Sequence, residues 1–347
     1  MIWQRVRSTA LSLGALLIIL MACSDGGRHG APEAAEPQAP AGAEGPADSG
    51  AAAVGIKSIA LDSATRAAAK EFWTEERMRQ AKPLEPPTVT EEELQRLLLA
   101  PATGESVERT IEGSPGPKGT ANAAASTTTG TPTQADVNSI PFSSGGKLFV
   151  TETNGDLFTC TAEFVGSNRV LMTAAHCVTD GKGSWYANLN FVRGYDLGGG
   201  QTIGLGCISV PPAYFEHGDK GYDYAFIYTD EDSEGGWLGF KTDVPFSSWS
   251  SIGYPEADGD GESMYQVNGT KGTVGARTVE MLGGSMGAGS TGGAWIADIQ
   301  SNKTETGNYA IGLNAYRTTS ANEFSPRFNE ETYDLLLQVM DNECNQE

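Results

Sequence analysis

LFTCTAEFVGSNRVLMTAAHCV, residues 157–178, is the stretch whose reading decides the fold. LFTCTAEFV is rich in Phe, Thr and Val, Gly166-Ser167-Asn168 is a turn cluster, and RVLMTAA is a second apolar run. The order is strand, turn, strand, and it delivers His176 directly before Cys177. Histidine has an unperturbed pKa near neutrality, which is what a general base at physiological pH requires. Of the 3 histidines, His29 lies in a Gly/Ala/Pro-rich stretch and His217 in the polar sequence YFEHGDKG, where a solvated bystander is expected. His176 is the histidine that ordered β structure can aim.

The pattern continues on both sides. From Ser139 onward short β-rich runs (KLFVTET, YAFIYT, YAIGLNAY) are broken by Gly, Asn and Asp. Several short strands separated by turn signals indicate an all-β sandwich or barrel, and roughly 205 residues suits two small barrels. No internal repeat is visible. Upstream, LDSATRAAAKEFWTEERMRQA and TVTEEELQRLLLA read as helices, the second with Thr90 as N-cap, Glu93 in the capping-box position and Pro101 as stop. Residues 23–56 and 102–138 are poor in large apolar side chains and read as a disordered tether and a flexible linker. The expected organisation is therefore a leader (1–22), a tether (23–56), a helical region (57–101), a linker (102–138) and a β domain (139–347) ending in the helical ETYDLLLQVMDNEC.

The Cys-strand-turn-strand-Thr-Ala-Ala-His-Cys segment closely resembles the catalytic-histidine region of trypsin-like serine proteases. The resemblance covers about residues 139–340 and implies two packed antiparallel β-barrels. Gly221-Tyr222-Asp223-Tyr224-Ala225-Phe226-Ile227 resembles the family's Asp-x-Ala strand entry, which implies that Asp223 orients the imidazole and stabilises its charged form. Ile252-Gly253-Tyr254-Pro255 resembles a segment of the bacterial secreted, glutamyl-endopeptidase-like branch, and Phe72–Met78 resembles the pro-segment of some of its members.

Gly287-Ala288-Gly289-Ser290-Thr291-Gly292-Gly293-Ala294 resembles the nucleophile loop, with threonine where the family has serine. The resemblance makes Thr291 the nucleophile, with the Gly289 and Thr291 amides as oxyanion donors and Ser290 as the alternative nucleophile. Threonine keeps a hydroxyl that His176 can deprotonate. Its β-branching restricts χ1, and holding a side chain about 30° off its rotamer costs of order 0.5–1.5 kcal/mol, so a slow enzyme is expected. Ser290 stands where trypsin-type zymogens carry an aspartate, so activation through a new N-terminal ion pair is not expected. The same resemblance places Ser285 and Asn314 in the primary specificity pocket. Ser285 brings no charge for Lys or Arg, and Asn314 replaces the histidine of glutamate-specific members.

The net charge of −21 excludes nucleic acid as a partner and disfavours anionic membrane surfaces. Arg5 and Arg7 precede a short apolar run, ALSLGALLIILM, well below the about 20 residues of a membrane span. Leu20-Met21-Ala22-Cys23 then resembles the lipobox of bacterial lipoproteins, which implies lipidation at Cys23, export and anchoring on a bacterial membrane, with release by cleavage in the linker as an option. In an oxidising compartment Cys160, Cys177, Cys207 and Cys344 are expected to form disulfides, and their three pairings are not distinguished by spacing. The family resemblance implies Cys160–Cys177, leaving Cys207–Cys344. Closing so short a loop stabilises by roughly 3 kcal/mol on the chain-entropy model. No cofactor or metal is expected. The acidic run Asp258–Glu262 lacks a full Ca²⁺-loop signature and reads as a solvated turn.

The expected function is thus an exported, lipid-anchored endopeptidase acting on polypeptides through Thr291, His176 and Asp223. The rival expectation is a protease-like module that binds polypeptides without cutting them.

Overall fold

A computed structural model describes residues 55–101, 107–114, 129–300, 307–319 and 322–341. The expected leader and most of the tether, Cys23, His29 and Cys344 lie outside the described residues.

Val170–Thr173 is buried at every position because it is flanked by Leu157–Phe164 on one side and Ala225–Thr229 on the other. Its continuous apolar composition follows from having both faces covered. These strands sit at the centre of a 9-stranded sheet that also contains Gly145–Thr151, Ala187–Asp196, Gly199–Ile203 and Leu205–Val210. A second sheet has 10 strands, among them Ser248–Gly253, Tyr265–Val274, Thr278–Leu282, Ala294–Ala297, Tyr309–Leu313 and Glu323–Pro326. One continuous core, including Phe149, Phe164, Phe226, Phe240, Ile252 and Leu313, joins the two sheets. The C-terminal helix forms as expected. Asn329 and Thr332 make a capping box, and the helix buries Leu335, Leu336 and Val339.

The N-terminal region is built into this body. Lys57–Ala60 adds an edge strand to the first sheet, antiparallel to Leu205–Val210. The single helix expected over 61–81 is two: α1 (Ser63–Phe72), capped by Asp62, and α2 (Glu75–Gln80), capped by Thr74. Thr74 offers its hydroxyl to the Arg77 amide, and that local hydrogen bond competes with helix continuation. The break lets Trp73 turn inward, 5% exposed, against Phe149, with its indole N–H bonded to the Asn188 carbonyl. α3 (Glu91–Leu99) starts at Thr90, whose hydroxyl accepts from the Glu93 amide, and it buries Leu94 and Leu97.

Parts of the expected linker are also paired. Thr110–Ile111 lies beside Gly239–Lys241, Thr133–Gln134 beside Tyr265–Val274, and Ala135 and Val137 are buried. The linker reading therefore needs correction at 107–114 and 129–138. Two-residue strands carry no periodicity for a sequence reading to catch. His217 ends a short helix, α4 (Pro212–His217), rather than lying in a loop, and it is exposed.

Candidate active site

The strand Val170–Thr173 runs straight into a single turn, Ala175–Cys177, that carries His176. The Cys160–Cys177 disulfide ties that turn to the neighbouring strand. Cys207 is also disulfide-bonded, and its expected partner Cys344 lies outside the described residues. Asp223 stands just before the strand Ala225–Thr229, which pairs with Val170–Thr173, so sheet register brings acid and base together.

Both carboxylate oxygens of Asp223 are used on the histidine. Oδ1 accepts from the His176 backbone amide at 3.0 Å, and Oδ2 accepts from Nδ1 at 2.7 Å. Asp223 is fully buried. A carboxylate can only accept, so Nδ1 carries the proton and the Nε2 lone pair is left as the base. Among the described residues Nε2 has no hydrogen-bond partner, although it is buried.

The loop Gly289-Ser290-Thr291-Gly292-Gly293 leads into Ala294–Ala297 of the second sheet and is held by backbone contacts that only glycine permits. Gly289 has φ +85°, and a Cβ there would lie 2.2 Å from the Tyr254 carbonyl. At Gly292 (φ +87°) a Cβ would meet Thr161 O and Thr173 Oγ1 at 2.3 Å. The loop therefore presses against Thr173-Ala174, immediately before His176. Thr161 grips it from the first sheet: its amide donates to Thr291 O at 2.8 Å and its hydroxyl to Gly289 O at 3.0 Å. The Cys177 sulfur lies 3.9 Å from Thr291 O.

Ser290 and Asn314 take structural parts. The Ser290 hydroxyl donates to the Gly287 carbonyl at 2.6 Å, so it is spent inside its own loop. Asn314 was expected in the specificity pocket, but its amide is saturated by the protein. Oδ1 accepts from Ser251 at 2.7 Å and Trp295 at 2.8 Å, while Nδ2 donates to Ile252 O at 3.1 Å and Ser290 O at 3.0 Å. Four bonds fill a primary amide's capacity, so Asn314 braces the loop and has nothing left for a substrate. Ser285 is half-buried, and beside it lies a carboxylate that the sequence reading missed, Glu323. Glu323 is fully buried with no well-formed hydrogen bond among the described residues, and burial raises its pKa to about 7 against smaller opposing pulls from Ser285 and the Met286 amide. Glu163, on the strand Leu157–Phe164, is likewise buried with no well-formed hydrogen bond among the described residues, and burial pushes its pKa well up against a smaller pull from the Ala294 amide. From the acidic run, Glu262 is engaged by Lys147 at 3.2 Å and by the Tyr195 hydroxyl at 2.7 Å.

One occupant of the site had no signal in the sequence. The stretch between α2 and α3 runs across the Gly289–Gly293 loop. Lys82–Pro83 pairs in parallel with Phe158–Thr159, and the Leu84 amide donates to Thr159 O at 2.9 Å. The Leu84 carbonyl accepts from the Gly289 amide at 3.0 Å, the first of the two expected oxyanion donors. The Thr291 hydroxyl makes a long bond of 3.4 Å to that same carbonyl.

Two mainly antiparallel sheets, with His176 and Asp223 on one and the glycine-bounded Thr291 loop on the other, make the two-barrel fold of trypsin-like serine proteases. No protein-family model matches the sequence, and no curated protein matches it. Solved structures do. A Glu endopeptidase aligns at TM-score 0.50 and 16% identity over 62% of this chain and 98% of that one. The thermostable serine protease AL20 from an extremophilic microorganism is 24% identical over 55% of this chain and 94% of that one, with TM-score 0.49. Protease Anisep from Arthrobacter nicotinovorans is 23% identical over 58% and 94%, with TM-score 0.48. At such identities the likeness concerns the fold.

Proposed function

We propose that the chain is an endopeptidase in which Thr291 is the nucleophile, His176 the general base and Asp223 its orienting acid. One observation carries the reading. A peptide carbonyl, that of Leu84, rests on the Gly289 amide within reach of the Thr291 hydroxyl. With a substrate carbonyl in that place, Thr291 Oγ attacks the carbonyl carbon while Nε2 of His176 takes its proton. The oxyanion that forms meets the Gly289 and Thr291 amides, and such a donor contributes about 10²–10³ in rate. His176 then gives the proton to the leaving amine, and water, activated by the same base, releases the acyl group.

Export, lipidation at Cys23 and anchoring on a bacterial membrane belong to the same proposal. The leader pattern supports them, and so does a disulfide framework suited to an oxidising compartment. Labelled palmitate incorporation that disappears in Cys23→Ala would test the anchor.

A second reading, a binding module, draws on the Thr291 hydroxyl being bonded to Leu84 O rather than to the base. Turnover of a generic protein substrate separates the two. The peptidase reading expects slow hydrolysis by the native chain, faster hydrolysis by Thr291→Ser and none by His176→Ala. A native chain with zero turnover that gains activity only in Thr291→Ser would establish the binding module.

A further inference from the structure

The Leu84 contact belongs to a longer run of attachments. Along residues 82–89 the chain is fastened to both sides of the nucleophile loop. At one end is the Thr159 pairing described above. At the other, the Val89 amide donates to Arg317 O, the Arg317 amide donates to Pro87 O, each at 2.9 Å, and Thr88 bridges to Arg317 in parallel. Glu85 adds an ion pair with Arg317 at 2.9 Å. Between these ends the Leu84 carbonyl holds the Gly289 amide and draws the Thr291 hydroxyl, while His176 Nε2 goes without a partner among the described residues. The proton that the base must take is thus directed at an acceptor in residues 82–89. Trp73, between α1 and α2, and Leu94 and Leu97 of α3 are buried in the core on either side of the stretch and hold it in place.

We infer that residues 82–89 are a built-in occupant of the peptide-binding cleft, an internal ligand that keeps the site closed until it is displaced. The inference rests on the endopeptidase reading for its consequence, but the occupancy itself is a binding statement. Its sequence fits the task. Pro83, Pro86 and Pro87 pre-set an extended backbone, which lowers the entropy lost on docking. Its direction fits release. Both of its edge pairings are parallel, the less stable geometry, whereas a peptide running the other way would make antiparallel pairs with the same two edges. An incoming extended polypeptide would therefore have the stronger claim on the cleft, once a cut or a pull on the N-terminal region lowers the local concentration of residues 82–89.

The test uses the full chain and a fluorescent synthetic peptide of sequence KPLEPPTV, residues 82–89. Leu84→Pro removes the amide donated to Thr159, and Glu85→Arg removes the ion pair. Glu85 is exposed, whereas Leu84 is half-buried against the edge of the core, so folding of the double variant is confirmed by circular dichroism before binding is read. The double variant should bind the peptide at least about five-fold more tightly than the native chain, the shift expected from losing one ordinary hydrogen bond. Its hydrolytic turnover should rise in parallel. Improved binding without any hydrolysis would leave the occupancy standing and remove the peptidase reading. Equal peptide binding by the native chain and a folded double variant would overturn the occupancy. Amide exchange on the unaltered chain covers a variant that does not fold: the Gly289 amide should be protected, and exchange at the solvent rate in the folded protein would also overturn the inference.

Discussion

The two halves of the active site stand in different states. On the first sheet, His176 is locked by two hydrogen bonds, of 2.7 and 3.0 Å, to the fully buried carboxylate of Asp223. On the second, the Gly289–Thr291 loop is equally well braced, yet its functional groups point at residue 84 of the same chain. His176 is fixed with Nε2 unpartnered among the described residues, while the Thr291 hydroxyl and the Gly289 amide are occupied by Leu84. The difference separates construction from access: under the proposed reading, each half can be complete while a third piece of chain lies between them.

The largest expected effects come from breaking the assembled half. Asp223→Asn should lower turnover by about 10⁴-fold, because the neutral amide favours the wrong histidine tautomer. His176→Ala should do at least as much damage, and combining it with Thr291→Ala should add little, since the residues act as a unit. Pre-steady-state and steady-state rates on a peptide substrate would check both. Next is the braced loop. Gly289→Ala must accommodate a Cβ 2.2 Å from Tyr254 O at φ +85°, so the loop shifts and turnover falls by about 10²–10³, the worth of one oxyanion donor.

Glu323 gives a smaller effect, on stability. Its carboxyl keeps its proton up to about pH 7 in the folded chain, against an ordinary value of 4.5. The folded state therefore holds more protons than the unfolded one between these values. The stability is full below the ordinary value and declines as pH rises through the folded one. Glu323→Gln should remove that decline, gaining up to on the order of 3 kcal/mol above pH 7 and little at pH 4. Urea melts across that range would measure it. The smallest effect belongs to Glu85→Ala, which removes a partly exposed ion pair and should change stability by less than about 1 kcal/mol. Its peptide-binding phenotype should exceed its stability phenotype.

The legibility of the site in the sequence follows the same division. His176 and Asp223 could be read because each is announced by its own neighbours, Thr-Ala-Ala-His-Cys and Asp-x-Ala before an apolar strand. The tight loop around Thr291 could be read because close backbone approach demands glycines on both sides of it. The bracing by Asn314 could not be read, since nothing local foretells four hydrogen bonds to Ser251, Ile252, Ser290 and Trp295. Leu84 was invisible. It meets its partners across 207 residues of sequence, through backbone atoms that every residue carries. The paired stretches at Thr110–Ile111 and Thr133–Gln134 were missed because edge pairs so short leave no hydrophobic pattern.

Fluorophosphonate labelling, with the modified residue located by mass spectrometry, tests the whole arrangement most directly. The account predicts label on Thr291, faint in the native chain, stronger in the Leu84→Pro, Glu85→Arg double variant, and absent in His176→Ala. Label on Ser290, or a folded double variant that leaves Thr291 unmodified, would contradict it.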